Sequence, residues 1–242
     1  NAGFYSSTQN TTITGIGVRY TNDGNDPTAT STAYIGAISI PTSRSIRARC
    51  FESGKLPSEP VTRTYFINQN TTLPIVSITA APGDLFNGYG GPAWYDNAPY
   101  GGGAPKVACH VAYFDVAKNL QFNEDASFAV VGNFSTEFDQ KPMQFQFDEE
   151  WGAKGDVPNQ IFTADKPNIS TLKGFRVRNM DDDYSDARMR DIIANRMSKN
   201  TYSAWAGYQN VAVFINGEYW GHYGAREILD ENFCHNNFGA NV

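Results

Sequence analysis

Along the first seventy residues, apolar positions come in short runs that alternate with polar ones, the period of a strand with one buried face. Stretches at 15–21, 33–40, 44–51 and 61–67 read this way, and turn clusters such as Asn22 to Pro27 separate them. Short strands with regular turn signals and no helical period predict a small β-sandwich. A polar linker closed by Pro74 sets the boundary, giving a sandwich over 1–72 and a second domain over 73–242.

The second domain opens on an apolar strand from Pro74 to Thr79. Residues 82–105 are glycine-rich and aperiodic, which predicts a long loop acting as a lid, an interface patch or a cap over a sheet edge. Strand patterns resume at 107–115, 126–132, 142–148 and 172–179, with Met143, Phe145 and Phe147 alternating against Gln144 and Gln146. One helix follows from the stripe Met189, Ile192, Ile193 and Met197. Asp181, Asp182, Asp183 and Asp186 precede it and suit the positive end of its dipole better than they suit a cation site. Asn216-Gly217 then lies between two β-rich apolar runs and predicts a tight hairpin, because both turn positions need positive φ. Sheet, helix, sheet predicts an α+β layer with the helix packed on one face.

Composition narrows the classes. With 40% hydrophobic and 14% aromatic residues the chain has material for real cores. A formal charge of −6 gives no electrostatic footprint for nucleic acid or an anionic membrane. No apolar run approaches the ~18 residues of a membrane span. The chain begins without Met or a signal-peptide pattern, so Asn1 reads as a processed end or the edge of a fragment. Cys50, Cys109 and Cys234 are too far apart for a CxxC metal site or a disulfide scaffold and read as small buried hydrophobes, with a single disulfide as the alternative. Asn-x-Ser/Thr triplets at Asn10, Asn70, Asn133 and Asn168 occur at about chance frequency. The Thr/Ser/Asn/Gly-rich, Lys-poor texture points to an extracellular surface. Asp23, Asn25 and Asp26 serve a tight turn more readily than calcium, and no metal site is predicted. No GxSxG occurs, the three histidines have no triad or zinc spacing, and the adjacent Glu149 and Glu150 point to opposite faces.

Two resemblances follow from specific phrases. The run Val18 to Thr28, then Ile46 to Phe51 and Thr64 to Ile67, resembles the Ig-like module at the C-terminus of chitobiases and β-hexosaminidases. That resemblance implies an accessory or spacer module on a secreted or cell-surface protein. From about 73 to 239 the chain resembles the CotH family of spore-coat-type atypical protein kinases. The resemblance rests on Leu73 to Ile78, Gln140 to Phe147, Arg178 to Asp191, the run Val213 to Gly221 (VFINGEYWG), and Arg226 to Asp230.

This second resemblance implies the N-terminal lobe of a protein-kinase-like fold with ATP and magnesium as cofactors. It implies Lys141, strand-borne, as the nucleotide-contacting lysine, Arg190 and Asp191 as helix residues ordering the site, and Glu227 with Asp230 near the hinge between lobes. Two departures touch the nucleotide edge. Asn133 to Thr136 stands where the family has a Ser-Arg pair, and Pro142 follows Lys141 where Ser is usual. The family's base-type and magnesium-binding aspartates are expected beyond Val242, so the stretch as given lacks the catalytic half. Extracellular or coat proteins, or further copies of the chain, are the partners implied. The rival expectation is a non-catalytic structural or adhesive component of an extracellular assembly.

Overall fold

The computed structural model describes residues 2–180 and 183–239. Its N-terminal part contains strands β1 (Gly3–Tyr5), β2 (Gln9–Thr11), β3 (Val18–Thr21), β4 (Thr32–Ala33), β5 (Ile38–Ile40), β6 (Arg44–Cys50) and β7 (Val61–Ile67). A five-stranded sheet in the order β1-β7-β6-β3-β4 faces the β2-β5 pair, and Ile38, Ile40, Ile46, Tyr65 and Ile67 fill the space between. The sandwich was legible in the alternation. The single strand expected over 33–40 is instead two, broken where Ile35 turns out to solvent beside Gly36. In the acidic turn, the carboxylate of Asp23 accepts from the backbone and side chain of Asn25, while Asp26 pairs with the buried Arg47 at 2.6 Å.

The second part contains β8 (Ile75–Ala80), a short helix α1 (Pro82–Leu85), β9 (Val107–Phe114), β10 (Leu120–Val130), β11 (Met143–Gln146), a small ribbon of β12 (Val157–Pro158) with β13 (Thr171–Leu172), and β14 (Gly174–Arg178). Helix α2 (Arg190–Met197), β15 (Tyr208–Ile215), β16 (Glu218–Arg226) and α3 (Glu231–Phe238) complete it. The expected open layer is in fact a closed barrel, β10-β11-β14-β16-β15-β8-β9. An odd ring of strands cannot alternate direction throughout, and the odd junction here is the parallel pairing of β15 with β8. Closure leaves no bare sheet edge. Inward positions of every strand, among them Val76, Val111, Phe128, Phe145, Phe175, Val213 and Tyr223, fill the interior.

The aperiodic 82–105 segment caps one end of this barrel. Leu85 and Tyr95 descend into the core, and the Tyr95 hydroxyl gathers four partners: it donates to Asp139 O (2.8 Å), accepts from Lys141 N (2.9 Å) and Trp220 Nε1 (2.7 Å), and meets Tyr223 Oη at 3.4 Å.

Helix α2 forms where its stripe predicted, but it does not pack on the sheet. It buries no residue, and Met189, Ile193 and Met197 are 52%, 50% and 75% exposed. Barrel closure removes the open apolar sheet face the helix would have covered. Of the acids before it, Asp183 is buried and accepts from the backbone N–H groups of Met189 and Arg190, so it satisfies the helix entry. Asp181 and Asp182 lie outside the described residues.

The sandwich is not a detached spacer. Phe4 and Phe66 meet Phe114 and Phe214 of the barrel's outer wall, with Phe66–Phe214 centroids 4.9 Å apart and Phe66–Phe114 5.5 Å apart. Beside these rings, a buried hydroxyl ladder links Ser45 and Thr64 of the sandwich to Ser77 and Thr79 of β8. Burying each aromatic side chain is worth about 1.5–3 kcal/mol.

Candidate functional site

Because Met143, Phe145, Phe175, Val177 and Ala225 point into the barrel, the residues between them point out. The outer wall of β11, β14 and β16 therefore presents Gln144, Arg176, Arg178 and Arg226. Arg176 Nε donates to Gln144 Oε1 at 2.6 Å. Helix α2 crosses this wall at Asp191, whose two carboxylate oxygens each lie 2.9 Å from Arg226 Nη1, with Arg178 Nη1 3.6 Å from Oδ2. One carboxylate thus faces two guanidinium groups, and Arg176 adds a third cation nearby.

Burial, followed by the charge of Arg178, holds the Arg176 pKa below its ordinary value. Burial also lowers Arg178; Asp191 opposes the shift and Arg226 adds to it. Asp230 also acts on Arg176 and opposes its shift, so the wall sets three guanidinium groups beside Asp191 and Asp230.

Arg176 and Arg178 open onto a cleft of about 360 Å³ whose other side is the turn after β10, with Gly132, Asn133, Ser135 and Pro142. Gly132 has φ +118, and a Cβ there would strike Ser135 Oγ, so the turn favours glycine.

The sequence-predicted residues divide. Lys141 precedes β11 rather than sitting on a strand. Its ammonium donates to Thr136 O (2.7 Å) and Phe138 O (3.2 Å), which fixes the turn bordering the cleft. It is not brought to Asp191, which takes the arginines instead. Arg190 turns away and pairs at the surface with Asp186 at 2.7 Å.

Glu227 is buried at the end of β16. It accepts from Gly207 N (2.6 Å) and Asn237 Nδ2 (3.1 Å), and Lys166 Nζ stands 3.9 Å away. Burial, the largest influence on Lys166, pushes its pKa down, against the pull of Glu227 and Asp165. Asp230 caps α3 by accepting from Phe233 N at 3.0 Å. All three cysteines are free thiols, with Cys109 buried in the barrel.

Sequence reasoning passed over Arg176, Arg178 and Arg226. The signal was present: alternation with Phe175 and Val177 puts both β14 arginines on one face. For Tyr95 and Lys166, which lie in segments without a period, no such signal existed.

The comparisons with known proteins bear on this geometry. Residues 128–242 match the family model described as CotH kinase protein. Residues 1–63 match that of the chitobiase/beta-hexosaminidase C-terminal domain, so the two matches follow the order the phrases predicted. No curated protein matches the chain. The CotH match begins within β10 and takes in the cleft, the arginine wall and the whole hairpin.

The hairpin shows what the Asn216-to-Gly221 phrase does. Asn216 (φ 52) and Gly217 (φ 92) form the positive-φ turn, and the Asn216 amide accepts from Ala80 N (3.1 Å) and donates to Ala80 O (3.0 Å). Gly217 lies flush against the Arg44 backbone of the sandwich. At Gly221 a Cβ would strike Gln140 Nε2, which donates to Trp220 O at 2.9 Å and ties the cleft-side turn to the hairpin.

Proposed function

We infer that the arginine wall and its cleft bind the phosphates of a nucleotide, and that the barrel serves as the nucleotide-binding lobe of an atypical, ATP-dependent protein kinase. The observation that carries this reading is Asp191 of α2 held between Arg178 and Arg226 at the edge of a cleft closed by the Gly132 turn. Kinase chemistry asks for a strand cation on the phosphates and a helix carboxylate that orders it. Here Arg178 takes the first role and Asp191 the second. Arginine suits the task, since its planar fork meets phosphate oxygens in pairs.

The crowded guanidinium groups fit a polyanion. Bound ATP would supply the transferable phosphoryl group; this chain's residues would bind and orient it, with Lys141 holding the turn over the cleft. No cluster of three or more His, Cys, Asp or Glu able to hold a metal occurs among the described residues, so no step is assigned to magnesium. The substrates proposed are extracellular or coat proteins, with the protein secreted or at the cell surface. Among the described residues, no helix is long and apolar enough to cross a membrane.

ATP titration of the chain, followed by thermal shift and by a fluorescent nucleotide analogue, tests the reading. Arg178→Ala should weaken binding at least tenfold and Asp191→Ala several-fold, with Lys141→Ala giving the smaller loss of a turn-positioning residue. A silent titration, or one indifferent to Arg178→Ala, overturns it. The second reading, a non-catalytic component of an extracellular assembly, draws support from the exposed Met189, Ile193 and Met197 of α2, and a silent titration would favour it.

A further inference from the structure

A second cleft, of about 240 Å³, lies where the sandwich meets the cap and the hairpin. Its walls come from three separate chain segments: Asn22 and Arg44 from the sandwich, Phe86 and Tyr89 from the cap, Glu218 and Trp220 from the hairpin.

The aromatic wall is built. Trp220 is anchored by its indole N–H to Tyr95 Oη at 2.7 Å, Phe86 sits 5.3 Å from it, and Tyr89 follows 6.5 Å from Phe86 at an interplanar angle of 48°. Tyr89 remains 65% exposed at the mouth of the cleft, so much of its ring is open to a ligand. The polar wall offers both donors and acceptors. Arg44 lines the cleft beside Thr42, to whose Oγ1 its Nη2 donates at 3.0 Å, and the Glu218 carboxylate and Asn22 amide line the same cleft.

We propose that this inter-module cleft binds a carbohydrate chain. A gluco-configured pyranose has a flat face of C–H bonds and a rim of hydroxyls that both donate and accept. The faces of Tyr89 and Phe86 suit the first. The Arg44 guanidinium, the Asn22 amide and the Glu218 carboxylate suit the second. A phosphate ligand fits poorly, since Asp23 and Glu218 line the same cleft as Arg44. An aliphatic lipid would offer the Arg44 guanidinium no acceptor. Because the cleft needs both modules, it also gives a functional reason for the packing between them. The assignment is independent of nucleotide binding.

Titration calorimetry of the whole chain with cellotetraose, and in a parallel arm with tetra-N-acetylchitotetraose, tests the proposal; the two arms separate a plain hydroxyl from an acetamido oxygen as the acceptor for Arg44. Saturable binding of at least one sugar is expected. It should fall tenfold or more in Tyr89→Ala and several-fold in Glu218→Gln, both exposed positions whose melting temperatures should stay unchanged, and excess ATP should not compete. Absence of binding by both sugars at millimolar concentration overturns the proposal, and so does binding that Tyr89→Ala leaves intact. Tyr89-dependent capture of a lysine-rich peptide in place of either sugar also overturns it, reassigning the cleft to a cationic peptide.

Discussion

The hairpin β15–β16 and helix α2 carry the clearest patterns in the sequence, yet only the hairpin is buried as its pattern predicts. Val211, Val213 and Ile215 enter the barrel, Ala212 and Phe214 enter the interface with the sandwich, and Asn216 is bonded to Ala80. Helix α2 has a stripe of similar quality, but Met189, Ile193 and Met197 lie in solvent, Ile192 is only half-buried, and the helix is held to the barrel by Asp191, Asp183 and the amide of Asn195, which contacts both backbone groups of Ala206. Periodicity thus predicts that an element forms without saying what covers it. A strand finds its partners through its own backbone, whereas a helix needs a second surface built by other parts of the chain.

The largest test of this contrast is Phe214→Ala. Removing a ring packed on Phe66 across the module interface should cost about 3–5 kcal/mol in urea denaturation. If the modules fold as one unit, amide exchange should rise in both the 44–50 and the 75–80 strands. Exchange that rises in only one of them would show the sandwich to be independent after all.

Next in size is Asn216→Ala, which removes both bonds to Ala80 and places alanine at positive φ, at an expected cost of about 1–3 kcal/mol. Asn216→Gly keeps the turn conformation without the bonds and should cost less. Equal losses in the two variants would mean the side-chain bonds contribute everything and the backbone nothing.

Strands and turns were legible because their signals are local. Alternation located most of the strands, and Asn216-Gly217 located the hairpin. What stayed hidden was pairing at a distance. Nothing within Ile75 to Ala80 announces a parallel partner at 212–215, yet that junction closes the barrel and removes the sheet face expected for the helix. The site shows the same division. Arg176 and Arg178 could be placed on one outward face from their spacing, but their meeting with Asp191 depends on how α2 crosses the wall. Lys141 carried a family phrase, and its local environment, with bonds to carbonyls five and three residues earlier in the chain, could not be seen without the turn around it.

A smaller effect sharpens how α2 is held. The N–H of Arg190, the largest influence, and then that of Met189 keep the Asp183 carboxyl below the usual aspartate pKa of 3.8. A group depressed in the folded state contributes stability that is complete above its unfolded value and is lost as pH falls through its folded value. Helix 190–197 should therefore be intact at neutral pH and loosen below about pH 4, as amide exchange of its first turn would report. Asp183→Asn should weaken the helix entry at neutral pH and flatten this acid response. An unchanged acid response in that variant would assign the loosening to another carboxylate, Asp191 first.

The smallest expected effect is the most direct check on the helix. Ile193→Ser and Met197→Ser each remove an apolar side chain that is already half or more exposed, so little transfer energy is at stake. Each should change the stability of the chain by no more than about 0.5 kcal/mol, part of it from the weaker helix propensity of serine. The same chemistry at Val213, which is fully buried, would be among the most damaging changes available. If the helix substitutions instead cost as much as a core truncation, the stripe is covered in solution, and a concentration dependence of that cost would identify the cover as a second copy of the chain.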